Sequence, residues 1–289
     1  MRPGQVEVAL ADGVVTAFVP GQLKSGPRNR RHVVAVGDDV RIIAGEGVAV
    51  LEAVLPRRNE VARTAPGESR APIQHVLAAN LDWLVVVVCY GRPRFNARGC
   101  DRLLVLGEVS RVPPLLVFNK CDQGVMDPDP ADLYVTVGYP VLRVSAHTGE
   151  GLDELRRHLR GRSSLLLGPS GVGKTSLLNV LAPDADHAVS EISTATGKGV
   201  HTTTRTRWVG LPFGGAVIDS PGIRSIQPWG LSADNLAICF PELATRTDCQ
   251  FRNCRHRSEP GCEITAAVAA GEIAASRYES YLRLLEGAD

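Results

Sequence analysis

Residues 168–175 read Gly168-Pro169-Ser170-Gly171-Val172-Gly173-Lys174-Thr175, which matches the pattern G-x-x-x-x-G-K-[ST] of a phosphate-binding loop. The apolar run 163–167 before it predicts a buried strand, and residues 175–181 after it predict a helix. A strand, a glycine-rich loop and a helix in this order aim backbone N–H groups and the positive end of a helix at phosphates. The stretch therefore predicts a nucleotide-binding α/β domain. A chance glycine-rich turn is the alternative, and the flanking strand and helix argue against it.

The loop also predicts roles for its own residues. The Lys174 ammonium reaches the β- and γ-phosphates in such loops, and we count it as a catalytic as well as a binding residue. The Thr175 hydroxyl is predicted to ligate Mg²⁺. The other predicted phosphate-binding positions are Gly168, Ser170, Gly171, Val172, Gly173 and Ser176.

The composition is that of a globular protein. The chain has 289 residues, 44% of them hydrophobic, which is enough for two or three domains with buried cores. The longest apolar run, 84–90, is too short to cross a bilayer, and residues 1–7 lack a hydrophobic signal segment. Seven cysteines, an odd number, argue against a disulfide framework. We therefore expect a cytoplasmic protein, and its net charge of +1 implies that any nucleic-acid binding uses local basic patches.

Three parts of the chain differ in pattern. Residues 1–70 contain short apolar runs split by Gly and Asp turns, which predicts a small β-barrel domain. In 73–230 strands alternate with helices, which predicts an α/β domain with a mostly parallel sheet. We place the linker between these domains at 56–72, which carries three prolines. Residues 231–289 are predicted to form a third, small domain that ends in a polar helical stretch at 266–286. The strands predicted outside the phosphate loop cover 6–8, 14–19, 33–36, 40–43, 48–51, 83–89 and 114–118, and a helix is predicted at 151–159.

Two segments at strand ends predict selection of guanine. The first, Asn119-Lys120-Cys121-Asp122, has the form Asn-Lys-x-Asp. The Asp122 carboxylate can accept hydrogen bonds from guanine N1–H and the 2-amino group, whereas adenine has an acceptor at N1 and no such amino group. The second, Val144-Ser145-Ala146, resembles the loop whose backbone N–H contacts guanine O6. The predicted guanine contacts are Asn119, Lys120, Asp122, Ser145 and Ala146.

Two further segments predict the metal-binding and switch elements of a GTPase. Ile218-Asp219-Ser220-Pro221-Gly222 resembles the D-x-x-G element, in which Asp219 holds a Mg²⁺-bound water and the Gly222 N–H senses the γ-phosphate. The run Thr202-Thr203-Thr204 supplies the switch threonine that ligates Mg²⁺ when the γ-phosphate is present. We take Thr203 as that ligand, with its two neighbours as alternatives.

The order of these elements along the chain is unusual. GTPases usually carry the phosphate loop first, but here Asn119 precedes Gly168 by about fifty residues, so the chain is circularly permuted. Both predicted switch segments, 195–204 and 219–226, therefore fall near the end of the nucleotide domain. The second runs directly into 231–289, so the nucleotide state can act directly on the C-terminal domain.

The cysteine-rich segment predicts a structural metal site. Cys249, Cys254, His256 and Cys262 follow the spacing C-x₄-C-x-H-x₅-C, and three thiolates with one imidazole suit tetrahedral Zn²⁺. With four protein ligands no position remains for water, so one zinc per chain is predicted to be structural. Residues 231–289 have few large apolar side chains, so we expect metal binding to supply the folding energy of this domain. Reduced cysteines without metal are the alternative.

The set as a whole resembles the RsgA (YjeQ) family of circularly permuted GTPases, which act on the bacterial small ribosomal subunit. The resemblance covers the whole chain and implies an OB-fold at the N-terminus, GTP hydrolysis stimulated by the 30S subunit, and a role late in its maturation. One departure is Val200, where the family commonly has Arg. We expect a monomer that binds GTP, GDP and 16S rRNA. The matching segments are 78–82, 119–122, 144–151, 168–176, 199–204, 219–222 and 249–262.

The residue that activates water is not where many GTPases have it. They carry a water-orienting Gln directly after D-x-x-G, whereas this chain has Ile223, whose side chain has no polar atom. This resembles the hydrophobic-substituted GTPases, in which the catalytic group comes from elsewhere. We take His201, just before the switch threonines, as that group, because an imidazole can order or deprotonate the attacking water. A surface histidine without a catalytic role is the alternative.

Basic residues cluster at 24–32, 92–98 and 246–257. A solvated face is the simplest interpretation of each cluster alone, but together with an OB-like barrel they favour RNA binding. Two other function classes remain open. A binding module in which GTP only sets affinity for a partner is compatible with Ile223, and turnover with and without 30S subunits distinguishes it. A metabolic kinase is disfavoured because Asn-Lys-x-Asp argues against ATP.

Overall fold

The computed structural model of the protein describes residues 4–10, 13–24, 34–44, 49–65, 72–183, 190–191, 206–220 and 227–287. These residues form an N-terminal sheet, a central α/β sheet and a C-terminal group of helices. Across the described ranges, no helix combines the length and the apolar character that crossing a bilayer requires.

The N-terminal sheet has four strands in the order β1-β2-β4-β3. They are β1 (Gln5–Leu10), β2 (Gly13–Phe18), β3 (Val40–Ile43) and β4 (Ala49–Val54), and a single helical turn, α1 (Gly21–Lys24), follows β2. Of the three neighbouring pairs, β1–β2 and β3–β4 are antiparallel, and β2–β4 is parallel. This half-barrel sheet agrees with the OB-like barrel that the sequence predicts.

The strand predicted at 33–36 is wrong for its described residues. They run into a turn, because the Ala35 N–H donates to Asp38 Oδ2 at 2.7 Å. The Asp38 carboxylate is in turn held by Arg57, whose Nε lies 2.6 Å from Oδ1. A short polar side chain that satisfies the backbone locally favours a turn over a strand.

A two-stranded hairpin follows the barrel sheet. It is formed by β5 (Glu60–Thr64) and β6 (Gln74–Ala79), so the stretch in which we placed the linker contains a strand. The opposite edge of β5 pairs with a distant segment: the Thr64 N–H donates to the Gln227 carbonyl at 2.9 Å and the Trp229 N–H to the Ala62 carbonyl at 3.1 Å. The chain that follows the second switch segment is therefore anchored to this hairpin.

The central sheet is mostly parallel, as predicted. Its order is β11-β12-β13-β10-β7-β8-β9, in which β13, β10, β7, β8 and β9 run parallel. At one edge β12 pairs antiparallel with β13, and β11 pairs antiparallel with β12. The strands are β7 (Trp83–Cys89), β8 (Pro114–Asn119), β9 (Val141–Arg143), β10 (Ser163–Leu167), β11 (Ser190–Glu191), β12 (Arg207–Gly210) and β13 (Ala216–Asp219).

Helices cover both faces of this sheet. On one face Val86 and Val88 of β7 pack with α2 (Ala97–Val109) and α3 (Pro130–Val137). On the other face the alternate residues of β7 pack with two further helices, α4 (Leu152–Leu159) and α5 (Lys174–Leu181). The helix after β10 thus lies on one face and the helix after β7 on the other. A change of side between neighbouring parallel strands opens a crevice at their carboxyl ends, where ligands bind in open α/β sheets.

The C-terminal part has three α-helices and an apolar core to which Val105 of α2 also contributes. They are α6 (Pro241–Ala244), α7 (Glu263–Ala269) and α8 (Ala275–Glu286). The single helical stretch predicted at 266–286 is therefore wrong: it breaks at Gly271, whose φ of 77° lies in the left-handed region that glycine tolerates. The expectation of a poor core is also wrong, since the interiors of these helices meet in an apolar cluster. Its largest buried members are Phe240, Leu243, Ile264, Tyr281 and Leu285.

Helix α8 is joined to α2 by a buried arginine. Arg277 is 1% exposed; its Nη1 pairs with Asp101 on α2, and its Nε lies 2.6 Å from Glu242 on α6. Its guanidinium also lies 4.7 Å from the ring centre of Phe240. Burial by itself would lower the pKa of Arg277, but the Glu242 and Asp101 carboxylates raise it, so the group stays charged.

Candidate functional site

Four of the predicted elements meet at one edge of the central sheet. The loop 168–173 follows β10, Asn119 ends β8, Asp219 ends β13, and Ser145 lies just beyond β9. Since these strands are parallel, their carboxyl ends share the crevice at the change of side between β10 and β7.

Close backbone contacts explain the glycines of the phosphate loop. A side chain at Gly168 would overlap the Val87 carbonyl of β7, and one at Gly173 would overlap the Asn119 amide. Gly173 also has φ 96°, in the left-handed region. Val172 is buried between them and fixes the loop to the sheet. The loop is therefore held against two strands by positions where only glycine fits.

The polar side of the loop faces outward at the start of α5. Residues that carry exposed hydroxyls or exposed backbone are Ser170, Gly171, Thr175 and Ser176. Lys174 instead curls into the loop, where its Nζ donates to the carbonyls of Gly168 and Pro169, both at 2.8 Å. The loop thus collects N–H groups, hydroxyls and one ammonium at a helix N-terminus, a combination that suits phosphate.

Lys174 and Asp219 influence each other's charge. Burial lowers the pKa of Lys174, and the Asp219 carboxylate opposes that shift. Burial raises the pKa of Asp219, and the Lys174 and Arg207 cations oppose it. The end of β13 therefore brings a carboxylate beside the phosphate loop, where Mg²⁺ and its waters bind in nucleotide sites. Arg207 has no motif around it, so sequence reasoning did not single it out.

Asn119 connects the phosphate loop to the guanine loop. It is 1% exposed, its Nδ2 donates to the Val172 carbonyl at 2.9 Å, and its Oδ1 accepts from the Ala146 N–H at 3.1 Å. Both halves of the amide are therefore used in joining two segments that lie far apart in the chain. This bridging role accounts for an amide at the position, because a carboxylate could not donate and an ammonium could not accept.

Lys120 connects the same region to the loop after β7. Its Nζ donates to the Arg92 carbonyl at 2.6 Å and to the Gly171 carbonyl at 2.7 Å. Its backbone has φ 63°, which is uncommon for a residue with a side chain. The contribution of the Arg92 carbonyl has no sequence signal, because any residue supplies a backbone oxygen.

Ser145 orients the Asp122 carboxylate. The Ser145 Oγ accepts from the N–H groups of His147 and Thr148 at 3.1 and 3.0 Å, and donates to Asp122 Oδ1 at 2.5 Å. Because a hydroxyl has a single proton, the two N–H donors leave that proton to the carboxylate. Asp122 is itself exposed, so its carboxylate is accessible to a ligand. The structure thus brings Asn119, Lys120, Asp122, Ser145 and Ala146 together.

Part of the predicted site lies beyond the residues that the structure describes. The imidazole assigned to catalysis, His201, belongs to that part. So do the γ-phosphate sensor Gly222 and the apolar Ile223 that follows it. The switch threonines, with the Mg²⁺ ligand Thr203 among them, lie there as well. Their roles stay predictions.

The four predicted zinc ligands meet in one cluster. The ligand atoms of Cys249, Cys254, His256 and Cys262 all lie within 4.8 Å of one another. His256 Nδ1 is 3.5 Å from the sulfurs of both Cys249 and Cys262, and those two sulfurs are 4.0 Å apart. Tetrahedral zinc with Zn–S near 2.3 Å and Zn–N near 2.0 Å requires S···N edges of about 3.5 Å. The donor set and its spacing therefore fit Zn²⁺.

Groups around the cluster hold the backbone of its loop. The Tyr278 and Tyr281 hydroxyls of α8 donate to the carbonyls of His256 at 2.6 Å and of Arg255 at 2.8 Å. The Glu259 carboxylate accepts from the N–H groups of the same loop, and, although burial alone would raise it, these hydrogen bonds lower the pKa of Glu259 to about 2. Sequence reasoning missed this outer layer, for which the only signal is the i, i+3 spacing of the two tyrosines on one helix face.

A phosphate loop, an Asn-Lys-x-Asp segment and a D-x-x-G strand end that converge on one crevice in this chain order define a circularly permuted P-loop GTPase. A family model described as RsgA GTPase matches residues 54–229. The chain belongs to this family and is a GTP hydrolase.

Relatives and solved structures support the assignment over nearly the whole chain. The Small ribosomal subunit biogenesis GTPase RsgA of Bacteroides fragilis is 38% identical, over 97% of this chain and 92% of that protein. The protein of the same name from Chlorobaculum parvum is 41% identical, over 89% and 86%. The crystal structure of YjeQ from Thermotoga maritima matches with a TM-score of 0.74 and 30% identity, over 99% and 95%. That of YloQ, a circularly permuted GTPase, matches with a TM-score of 0.69 and 27% identity, over 98% and 93%.

Proposed function

We propose that the protein hydrolyses GTP during late maturation of the small ribosomal subunit, and that binding to the 30S subunit and its 16S rRNA stimulates turnover. The names of its relatives support the ribosomal partner. The observation that best supports selection of GTP is the pair of hydrogen bonds made by Asn119. They join the phosphate loop to the loop that orients Asp122. A ribosomal partner also implies a cytoplasmic protein, which we expect to act as a monomer.

In this proposal the guanine base is read by Asp122. Its carboxylate accepts from N1–H and the 2-amino group, and the Ser145 hydroxyl holds it in the orientation for doing so. The backbone of the guanine loop at Ala146 contacts O6. Asn119 and Lys120 hold the guanine loop and the phosphate loop in fixed positions relative to each other. Adenine would leave the carboxylate unpaired, which is far more costly than a missing apolar contact.

The phosphates are held by the loop after β10. Backbone N–H groups of 168–173, the N-terminus of α5 and the Lys174 ammonium neutralise the oxygens, and Ser176 lies in the first turn of the helix. The fit for Mg²⁺ rests on a hydroxyl and a nearby carboxylate, Thr175 and Asp219, with Thr203 completing the ligands. When bound, the cation neutralises charge that develops on the phosphates.

Water activation is assigned to the second half of the site. His201 orders or deprotonates the attacking water, since Ile223 offers no polar atom, and Gly222 senses the γ-phosphate. The order of the chain then links hydrolysis to the rest of the molecule, because the segment after Gly222 continues to the C-terminal domain.

We further propose that each of the three parts of the chain has a separate role. Residues 1–70 act as an RNA-binding OB-fold domain, 73–230 as the GTPase domain and 231–289 as a domain that carries one structural zinc. The half-barrel sheet and the Cys₃His cluster support the outer two assignments. Arg252, Arg255 and Arg257 lie between the predicted zinc ligands, so we expect the bound metal to stabilise the surface that carries these basic residues.

GTP turnover titrated with purified 30S and 50S subunits tests this proposal. We expect low basal turnover that rises with 30S and stays flat with 50S. Equal stimulation by both subunits contradicts a small-subunit role. Nucleotide-dependent 30S binding without any rise in turnover favours instead a module in which GTP only sets affinity, the alternative that Ile223 keeps open.

A further inference from the structure

A cluster of arginines lies at the pole of the GTPase domain opposite the nucleotide site. Residues 156–162 read Arg156-Arg157-His158-Leu159-Arg160-Gly161-Arg162 and join the end of α4 to the start of β10. The amino ends of β7 and β10 meet there, with Trp83 opposite Ser164. Because nucleotide binds at the carboxyl ends of the same strands, this pole faces away from the GTP site.

Trp83 organises the cluster. The Arg162 guanidinium lies 5.3 Å from the centre of its ring, and the indole Nε1 donates to the His158 carbonyl at 3.1 Å. The neighbouring Asp82 accepts from the Ser163 N–H at 2.8 Å and pairs with Arg58 at 2.6 Å. Local contacts thus fix the aromatic ring and its surroundings.

The cluster carries a net positive charge. Arg156 is neutralised by Asp153 at 2.7 Å, but Arg157 and Arg160 are exposed, and among the described residues their side chains make no hydrogen bond or ion pair. Arg58 and Arg162 add two more cations, and Asp82 and Glu154 oppose part of this charge. We use the name arginine pole for the set formed by Arg58, Arg157, Arg160, Arg162 and Trp83. On a protein of net charge +1, this is a concentrated positive patch.

An open groove of about 510 Å³ adjoins the pole. Trp83 forms one wall, and the rest is largely proline and valine, with Glu108 and Arg111 as charged members. Tyr139 also lines it and is 6% exposed; its hydroxyl oxygen is fully buried beside Glu108 and Arg277, so only its ring contributes to the groove. The apolar lining residues are Trp83, Val112, Pro113, Pro114, Tyr139, Pro140 and Pro241.

We propose that the arginine pole and its groove bind single-stranded RNA, with phosphates on the arginines and one unpaired base in the groove. Guanidinium groups match phosphate oxygens with two parallel hydrogen bonds, which makes exposed arginines the natural partners of a phosphodiester backbone. An open apolar groove beside them offers a surface against which a base packs, and the Glu108 carboxylate offers an acceptor to its edge. An acidic protein surface would use the charges but leave the apolar groove without a partner. The pole thus adds an RNA contact that is separate from the GTP site and from the OB-like sheet.

The charge contribution is tested by Arg157→Glu/Arg160→Glu in the full-length protein. Binding is measured by fluorescence anisotropy with a labelled single-stranded RNA of about 12 nucleotides, at several salt concentrations. We expect affinity to fall about tenfold or more and the slope of log affinity against log salt to become shallower. The matched control, Arg102→Glu/Arg283→Glu, changes the net charge equally on the face where α2 and α8 meet and should stay within about twofold of wild type. Wild-type binding by the pole variant, or an equal loss in the control, overturns the proposal.

The groove is tested by Pro113→Glu, which places a carboxylate on an exposed part of the groove wall. We expect single-stranded RNA to bind about threefold to tenfold more weakly, because an acidic wall repels the phosphodiester backbone. A duplex of the same sequence should bind wild type more weakly than the single strand does, and equal binding of duplex and single strand overturns the groove assignment. Basal GTP turnover of all variants should match wild type. If wild type is not stimulated by 30S subunits but the pole still binds RNA as described, the proposed function fails and this inference stands.

Discussion

Asn119 and Ser145 are buried polar residues at the ends of apolar strands, and every polar atom of theirs described above has a partner. Such groups cost free energy when left unpaired, so they specify how the loops that they join must pack. Their motifs predicted contacts with nucleotide. The structure adds that Asn119 joins two loops and that Ser145 aims the proton of its hydroxyl at Asp122.

The first prediction at this scale concerns base choice. Asp122→Asn replaces one acceptor oxygen with a donor, so we expect GTP to bind at least about 10²-fold more weakly and xanthosine triphosphate, whose 2-oxo group prefers a donor, to bind better. Equilibrium titration with fluorescent nucleotide analogues measures both. Asp234→Asn, an exposed aspartate in the C-terminal part of the chain, is the control. Unchanged GTP affinity in Asp122→Asn would show that another group reads the base.

The second prediction separates catalysis from binding. His201→Ala should lower kcat by about 10²- to 10⁴-fold if the imidazole acts as a general base, while nucleotide affinity stays near normal. Lys174→Ala should instead lose binding and turnover together, because its ammonium is part of the phosphate loop. The measurement is 30S-stimulated turnover at saturating GTP. Full stimulation of His201→Ala with intact 30S binding would place the catalytic group elsewhere, the ribosome included.

At the scale of elements, the loop 249–262, which carries the predicted zinc ligands, is held by two sets of contacts. The Cys₃His cluster closes it, and Tyr278 and Tyr281 of α8 hold its carbonyls from outside. Helix α8 in turn packs in an apolar core that does not depend on the cluster alone. The apolar core in this part of the chain is larger than its composition suggests, so we expect a bound metal to stabilise the loop more than the helices.

This leads to a prediction on metal removal. Purified protein should contain about one zinc per chain, and Cys254→Ser or a strong chelator should remove it. We expect proteolysis within 249–262 to become rapid while the helical circular dichroism signal falls only slightly, because the core around Phe240 and Tyr281 remains. Cys239→Ala, a buried cysteine outside the cluster, should keep its zinc. Zinc-free wild-type protein with a protease-resistant loop would contradict the assignment.

How much could be predicted differs from element to element. The strand–loop–helix at 163–181 was predictable because glycine spacing and apolar runs are local signals, and β7 and β8 were predictable because strands buried on both faces are continuously apolar. The break at Gly271 was missed because helical periodicity continues through it. The pairing of β5 with 227–229 was missed because it joins segments far apart in sequence, for which a single chain offers no local signal.

At the scale of the whole molecule, the permuted order connects the nucleotide site to both ends of the chain. Beyond β13 and the second switch segment, residues 227–229 pair with β5, next to the N-terminal sheet. The chain then enters the C-terminal helices and the loop that carries the Cys₃His cluster. A displacement of the second switch segment therefore has a covalent and hydrogen-bonded route to the hairpin on one side and to the C-terminal helices on the other.

Two ion pairs of different burial join α8 to α2. This contact determines whether the C-terminal helices move as one rigid body when the second switch segment is displaced. Arg277 with Asp101 is buried, whereas Arg98 with Glu279 is about half exposed on both sides. Arg277→Ala leaves buried carboxylates unpaired and should cost about 3–5 kcal/mol of unfolding free energy. Arg98→Ala, which breaks the exposed pair between the same two helices, should cost no more than about 1 kcal/mol. Urea unfolding, followed by the fluorescence of the chain and by proteolysis of the C-terminal helices, measures both; equal costs for the two variants would show that apolar contacts, and not the buried charge, hold the helices together.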